Sequence, residues 1–203
     1  MNKEFLKYET VRNNAIKLSY RICQAGFLPD VIYVSLRGGA YMGNVISEYF
    51  KLARRDRRVV YYAAVVARSY VDVNRQEKVM VDGWTYRPEY LRQGDRVLLV
   101  DDIFDTGHTV NHLVQIIMKN GIPRDDVRVA VHDYKIRAYR SKQLPVQPDY
   151  FCREHRIDKP EDDFWIHYLS HELVGLTQME REAHYFAVDP ELRSAFSVFR
   201  DDR

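Results

Sequence analysis

The stretch Arg96–Thr109, RVLLVDDIFDTGHT, decides how the rest of the chain is read. Val97-Leu98-Leu99-Val100 is a short apolar run, the pattern of a strand buried on both faces. It is expected to end at two adjacent carboxylates, Asp101 and Asp102. A small polar loop follows, Asp105-Thr106-Gly107-His108-Thr109, and runs into a helical pattern. A strand that stops at acids and turns through Thr-Gly into a helix start sets two kinds of group side by side. Loop N–H groups and the helix dipole form a cradle for phosphate. The acid pair can hold sugar hydroxyls or a magnesium ion beside that phosphate. The ordered set fits a sugar phosphate. The Walker pattern, in which a second glycine is followed by lysine, is absent from the chain.

Outward from this stretch, strands and helices alternate. Residues 3–24 read as an amphipathic helix with Val11, Ala15, Leu18 and Ile22 on one stripe and Gly26 as a stop. Val31 to Ser35 reads as a buried strand, followed by Leu36-Arg37-Gly38-Gly39 and a helix from about Ala40 to Phe50. Val59 to Ala67 is a second strand. Residues 68–93 are polar and weakly patterned, and a stretch that long inside a compact domain is usually a working loop or lid. After the strand to Val100 comes a helix from about Thr109 to Asn120, closed by Gly121 and Pro123, and a strand from Val127 to Val131. Such alternation predicts an α/β fold, a mostly parallel sheet of about five strands flanked by helices, with ligands at the strands' carboxyl ends.

The bulk composition narrows the function classes. A length of 203 residues suits a single domain, with a core over about 27–147 and a small hood and tail over about 148–203. No window approaches the roughly 18 apolar residues of a membrane span. The N-terminus lacks the apolar core of a signal peptide, so a cytoplasmic location is expected. A net charge of +2 is too weak to argue for a nucleic-acid or membrane partner. Cys23 and Cys152 have neither metal nor redox spacing and read as reduced, buried thiols. His108 and His112, and again His167 and His171, are four residues apart, but no third zinc ligand accompanies either pair.

Two further pieces carry chemistry. In Leu36-Arg37-Gly38-Gly39 the paired glycines let backbone N–H groups approach an anion, and Arg37 adds charge. The run from Val127 reaches a lysine, Lys135, at a strand end, and a flat aromatic such as Trp165 can cover a planar ligand.

Two acids, three residues and then Thr-Gly-His-Thr resemble the binding motif for phosphoribosyl pyrophosphate (PRPP) in the type I phosphoribosyltransferases. Members acting on orotate or adenine tend to carry a small or neutral residue before the first Thr. Members acting on 6-oxopurines carry Asp, and here that position is Asp105. A 6-oxopurine sheds or shares its N7 proton as N9 joins the ribose, and a carboxylate in reach of N7 assists. The chain thus resembles the hypoxanthine/guanine/xanthine phosphoribosyltransferases over roughly residues 30–175; residues 177–203 have no counterpart.

The resemblance implies a type I phosphoribosyltransferase fold with a C-terminal hood, and it implies roles. Asp101 and Asp102 would orient the ribose hydroxyls, directly or through Mg²⁺, with Glu172 as a further acid near base and metal. Asp105, Thr106, Gly107, His108 and Thr109 would hold the 5′-phosphate. Arg37 and Gly38 would meet pyrophosphate, with a non-proline cis peptide before Arg37, and Ser69-Tyr70 would open a lid over it. Lys135 would donate to the purine O6, and Trp165 and Ile166 would cover the base. Residues Arg153 to Glu161, with three basic residues and Pro160, read as an insert. PRPP and a purine base are the expected ligands, and a homodimer or homotetramer the expected assembly. The rival from another class is a regulator that senses PRPP without catalysis. Such proteins tend to lose base-reading residues, whereas Asp105, Arg37 and Lys135 are all present here.

Overall fold

The computed structural model describes residues 2–56, 58–71, 77–140 and 144–199, without the side chains of 69–71 and 77–78. Its strands are β1 (Asn2–Leu6), β2 (Val31–Leu36), β3 (Tyr61–Val71), β4 (Glu77–Trp84), β5 (Val97–Phe104), β6 (Val127–Arg137), β7 (Tyr150–Ile157) and β8 (Phe164–Tyr168). Six of them form one sheet in the order β4-β3-β2-β5-β6-β7. All neighbours run parallel except β3 and β4, which are antiparallel. The helices α1 (Tyr8–Gln24), α2 (Ala40–Ala53) and α3 (His108–Lys119) cover the sheet.

Alternation along the strands sorts the core into two halves. Ile32, Val34, Leu98 and Val100 pack with Val11, Leu18 and Ile22 of α1 and Met42, Ile46 and Phe50 of α2. Their neighbours Val31, Tyr33, Val97 and Leu99 pack with Val110, Leu113, Val114 and Ile117 of α3. Strands that are apolar at every position are therefore covered on both faces, as parallel sheets require. This is the α/β architecture with a mostly parallel sheet that the alternation predicts.

Several boundaries differ from the expectation. Residues 3–24 are not one helix: β1 precedes α1 and pairs in parallel with β8, Lys3 opposite Trp165 and Phe5 opposite His167. The hood is thus a two-stranded sheet whose halves come from opposite ends of the chain. Its partner lies some 160 positions away, which local periodicity cannot report. The main sheet has six strands: Glu77–Trp84 joins it as β4, and Tyr150–Ile157, which takes in the first five residues of the supposed insert, is β7 at its edge. Residues 68–93 are not an irregular loop: β3 runs on to Val71 and β4 returns from Glu77. Strand β5 does not stop at the acids but continues through them to Phe104, and β6 passes Val131 to reach Arg137.

The tail holds α4 (Gln178–Arg181), a π-turn over Glu182–Phe186 and α5 (Leu192–Phe196). A capping box between Thr177 and Glu180 opens α4, and Lys3 of β1 ties to Glu180 at 2.8 Å. Cys23 and Cys152 are free thiols, each partly rather than fully buried. Burial pushes the Cys152 thiol up to about 12. Among the described residues no helix is long and apolar enough to cross a membrane.

Candidate active site

Strands β2 and β5 are neighbours, with Val34 opposite Val100, so the Arg37 turn and the acid pair emerge side by side. The Leu36–Arg37 peptide is cis, as the resemblance implies. A Cβ at Gly38 would lie 2.3 Å from the Asp102 carboxylate, and one at Gly39 would lie 2.7 Å from the Val100 carbonyl. Only glycines let the turn press this closely on β5. The acids are held from their own strand: Asp102 N donates to Asp101 Oδ1 at 3.0 Å, and Ile103 N to Asp102 Oδ1 at 2.9 Å. Burial pushes Asp101 well above the usual carboxylate range, the Asp102 charge adds to the shift, and the Ser35 hydroxyl opposes it. From the hood, His171 Nε2 approaches Asp102 Oδ2 to 3.3 Å.

The polar loop leads into α3 as expected. Gly107 stands at its N-cap with φ +80°, and a Cβ there would lie 2.2 Å from the Phe104 ring. No side-chain cap closes the helix start, and a helix N-terminus of this kind suits an anion. Buried Asn111 donates to the Gly107 and Val146 carbonyls at 3.0 and 2.9 Å and fixes the loop from behind. Asp105, Thr106, His108, Arg137 and Arg140 line a cavity of about 270 Å³ beside this helix start.

Asp105 and Lys135 meet in a ring of four charged groups. Arg137 donates to the Asp105 carbonyl at 2.6 Å and to its Oδ1 at 2.5 Å, and through Nε to Asp163 Oδ2 at 2.8 Å. Lys135 donates to Asp163 Oδ1 at 2.9 Å and to the Phe164 carbonyl, with Asp105 Oδ1 3.7 Å away. Lys135 is buried inside β6 rather than placed at its end. A cavity of about 260 Å³ lies against this ring, lined by Asp105, Lys135, Arg137, Trp165, Ile166 and Tyr168 among others. Trp165 is half exposed, whereas Ile166 is buried in the core beneath it. A larger cavity of about 810 Å³, lined by Arg37, Gly38 and His171, meets it at Asp102, Trp165 and Glu172.

Glu172 stands where the two cavities meet, beside Trp165 as expected of an acid near the base. Its Oε2 accepts from Trp165 Nε1 at 3.3 Å and from Tyr168 N at 3.1 Å. Among the described residues no three acidic, His or Cys side chains gather as a metal site. Ser69 and Tyr70 belong to β3 by backbone, and their side chains lie outside the described residues. Sequence reading missed Arg137, Asp163 and His171. Arg137 had a signal: it lies two residues after Lys135, on the same face if the strand continues. Asp163 had none, and the His167–His171 spacing pointed only to zinc, because hood and sheet meet only in three dimensions.

Comparison with known proteins agrees with this construction. The family model described as phosphoribosyl transferase domain matches residues 1–167. No curated protein matches the sequence. Among solved structures, a hypothetical protein from Neisseria gonorrhoeae with bound ppGpp is similar at TM-score 0.66 and 22% identity, over 85% of this chain and 91% of that one. A purine phosphoribosyltransferase from Pyrococcus horikoshii is similar at 0.63 and 21%, over 88% and 100%. Helicobacter pylori xanthine-guanine-hypoxanthine phosphoribosyltransferase is similar at 0.53 and 14%, over 82% and 90%. The Arg37 turn against Asp102, the loop at the start of α3 and the family match over most of the length agree: the chain belongs to the phosphoribosyl transferase domain family.

Proposed function

We propose that the chain transfers the 5-phosphoribosyl group of PRPP to N9 of a 6-oxopurine, releasing pyrophosphate and the nucleoside monophosphate. The observation that carries this reading is the contact between Gly38 and Asp102, which joins the pyrophosphate turn to the ribose acids in one cleft. Asp105 adds the 6-oxopurine preference: it lines both the cavity at the helix start and the cavity beneath Trp165, between a 5′-phosphate and a base. The likeness to a purine phosphoribosyltransferase supports the substrate class.

In this reading the N–H groups at the start of α3, with Thr106, Gly107, His108 and Thr109, hold the 5′-phosphate. Arg37 and the Gly38 backbone hold pyrophosphate, with Ser69 and Tyr70 on the arm beside them. Asp101 and Asp102 hold the ribose hydroxyls. Lys135 faces the base O6, and Trp165 with Ile166 covers the ring and keeps water from the ribosyl centre. Asp105, fixed by Arg137, accepts the N7 hydrogen bond. The acid pair also fits a magnesium ion: burial and the neighbouring Asp102 charge oppose ionisation of Asp101, and a cation relieves both. Asp101 and Asp102 would hold it, and it would neutralise charge on the departing pyrophosphate.

One observation favours a second reading, a PRPP-binding regulator. Lys135 and Arg137 already spend their donors on Asp163, Asp105 and the Phe164 carbonyl. The same experiment separates the two. The protein is incubated with PRPP and Mg²⁺ plus hypoxanthine, guanine, xanthine or adenine, and nucleotide is detected. Nucleotide from at least one 6-oxopurine and none from adenine is expected. Nucleotide from none of the four, with PRPP still bound, would establish the regulator.

A further inference from the structure

A carboxylate with four hydrogen-bond donors lies away from the phosphate loop. Asp133 of β6 is fully buried, and each carboxylate oxygen accepts twice. Oδ1 accepts from Arg153 Nε and His155 Nε2, and Oδ2 from His132 Nδ1 and the Tyr168 hydroxyl, all at 2.6 Å. The donors come from β6, from β7 and from the hood strand β8. Arg153 extends the set to the other hood strand, where it meets the Glu4 carboxylate at 2.5 and 3.1 Å. Asn14 of α1 meets His132 Nε2 at 3.1 Å. A carboxylate is tolerated in such a place only where donors replace its water. Burial alone would raise its pKa; hydrogen bonds from His132, His155 and Tyr168 outweigh that and hold it far below the usual carboxylate range.

Tyr168 carries this cluster to the site. Its hydroxyl is also 3.1 Å from the Asp102 carbonyl. Its ring stacks on His171 at 5.3 Å and 18°, and His171 is the hood residue that reaches the Asp102 carboxylate. Trp165 and Ile166 precede Tyr168 on the same short strand.

We infer that Asp133 is a positioning residue for the base pocket, fixing both hood strands over β5 and β6 through Tyr168 and Arg153. What the pocket holds rests on the transfer reading; the fastening itself does not. The phosphate loop and the Arg37 turn are built on β5 with α3 and on β2 with α2; the hood reaches this side only at Asp102, through Tyr168 and His171 among the described residues. Loosening the fastening at Arg153 and Glu4 moves the wall that covers the base and leaves the phosphate loop and the Arg37 turn in place.

The test uses the full chain and two mild variants, Tyr168→Phe, which removes one of the four donors together with the hydrogen bond to the Asp102 carbonyl, and Glu4→Gln, which weakens the link to β1 without touching Asp102. Both are expected to raise the purine KM, Tyr168→Phe about tenfold, on the scale of one hydrogen bond to a charged group, and Glu4→Gln with the PRPP KM within about twofold. Amide exchange in residues 2–6 and 164–168 is expected to quicken in both variants. A purely structural role would lower the melting temperature without splitting the two KM values, and would overturn the inference. An unchanged purine KM overturns it whatever the exchange does. A raised purine KM without faster exchange assigns the effect to Tyr168 alone and also overturns it. If the unmodified protein forms nucleotide from no purine, the transfer reading fails and exchange alone decides: faster hood exchange keeps the fastening, unchanged exchange removes it.

Discussion

Arg137 grips Asp105 at two points, its main-chain carbonyl and its carboxylate, and this bears on how the carboxylate meets an N7 proton. The grip fixes one carboxylate oxygen beside Lys135, so Asp105 is placed to accept a hydrogen bond from N7. Asp105→Asn should lower turnover by roughly two to four orders of magnitude while PRPP binding persists. Steady-state kinetics with a PRPP titration checks this, and near-normal turnover would remove Asp105 from the chemistry. Gly38 gives a second test. A methyl group there would meet the Asp102 carboxylate at 2.3 Å, so Gly38→Ala must displace either the acid or the turn. It should keep its melting temperature within a few degrees and lose at least tenfold in kcat/KM for PRPP, a displacement of reacting groups by a fraction of an ångström being enough. An equal loss for purine and PRPP would move the fault away from the turn.

At the scale of elements, β6 does more than its apolar run announces. Its first half is core, but from His132 onward it supplies Asp133 to the hood fastening and Lys135 and Arg137 to the charged ring. The depressed Asp133 pKa fixes a direction for stability. A carboxyl held below its unfolded value stabilises the fold at every pH above that unfolded value, near 4, and the contribution disappears as pH falls below it. Asp133→Asn should therefore cost about 3–5 kcal/mol near pH 7, the scale of breaking a buried ion pair. The gap to the unmodified protein should begin to narrow as pH falls below about 4 and go on narrowing toward the folded-state value, which chemical denaturation across pH would reveal; a gap independent of pH would refute the assignment. What the sequence made legible here follows the same division. Val97–Val100, Gly107 and the Arg37-Gly38-Gly39 turn each carry a local signal, a buried run, a φ only glycine accepts or a close approach, and each was read in place. β1, β7 and the Asp163 pairing depend on partners far along the chain, and polar strands such as YFCREHRI alternate too weakly to be told from an insert.

At the scale of the whole molecule, the site divides into a fixed part and a projecting one. Strand β2 ends at Leu36 opposite Val66. Beyond that point β3 and β4 pair only with each other, from Ala67 opposite Val81 to Val71 opposite Glu77, with the Arg68–Asp82 ion pair at 2.7 Å across them. Ala67 and Val81 still pack against the core on the α3 side. Beyond them no third strand pairs with the ribbon among the described residues; such a ribbon is marginally stable in water, and an exposed ion pair adds little. Residues 61–66, seated on β2, should therefore exchange their amides slowly at all times. Residues 68–71 and 77–80 should exchange quickly in the empty protein and slow markedly when PRPP and magnesium bind, as expected of an arm that closes over pyrophosphate. Mass-spectrometric hydrogen exchange measures both segments in one experiment, and a purine assay on the same sample separates the two readings of the site. Slowing together with nucleotide formation is the expected result. Slowing without nucleotide from any purine would leave a molecule that closes on PRPP and transfers nothing, the behaviour of a sensor. Nucleotide formed with no change in the arm would keep the enzyme and assign the exclusion of water to the hood alone, through Trp165 and the strands that Asp133 fastens.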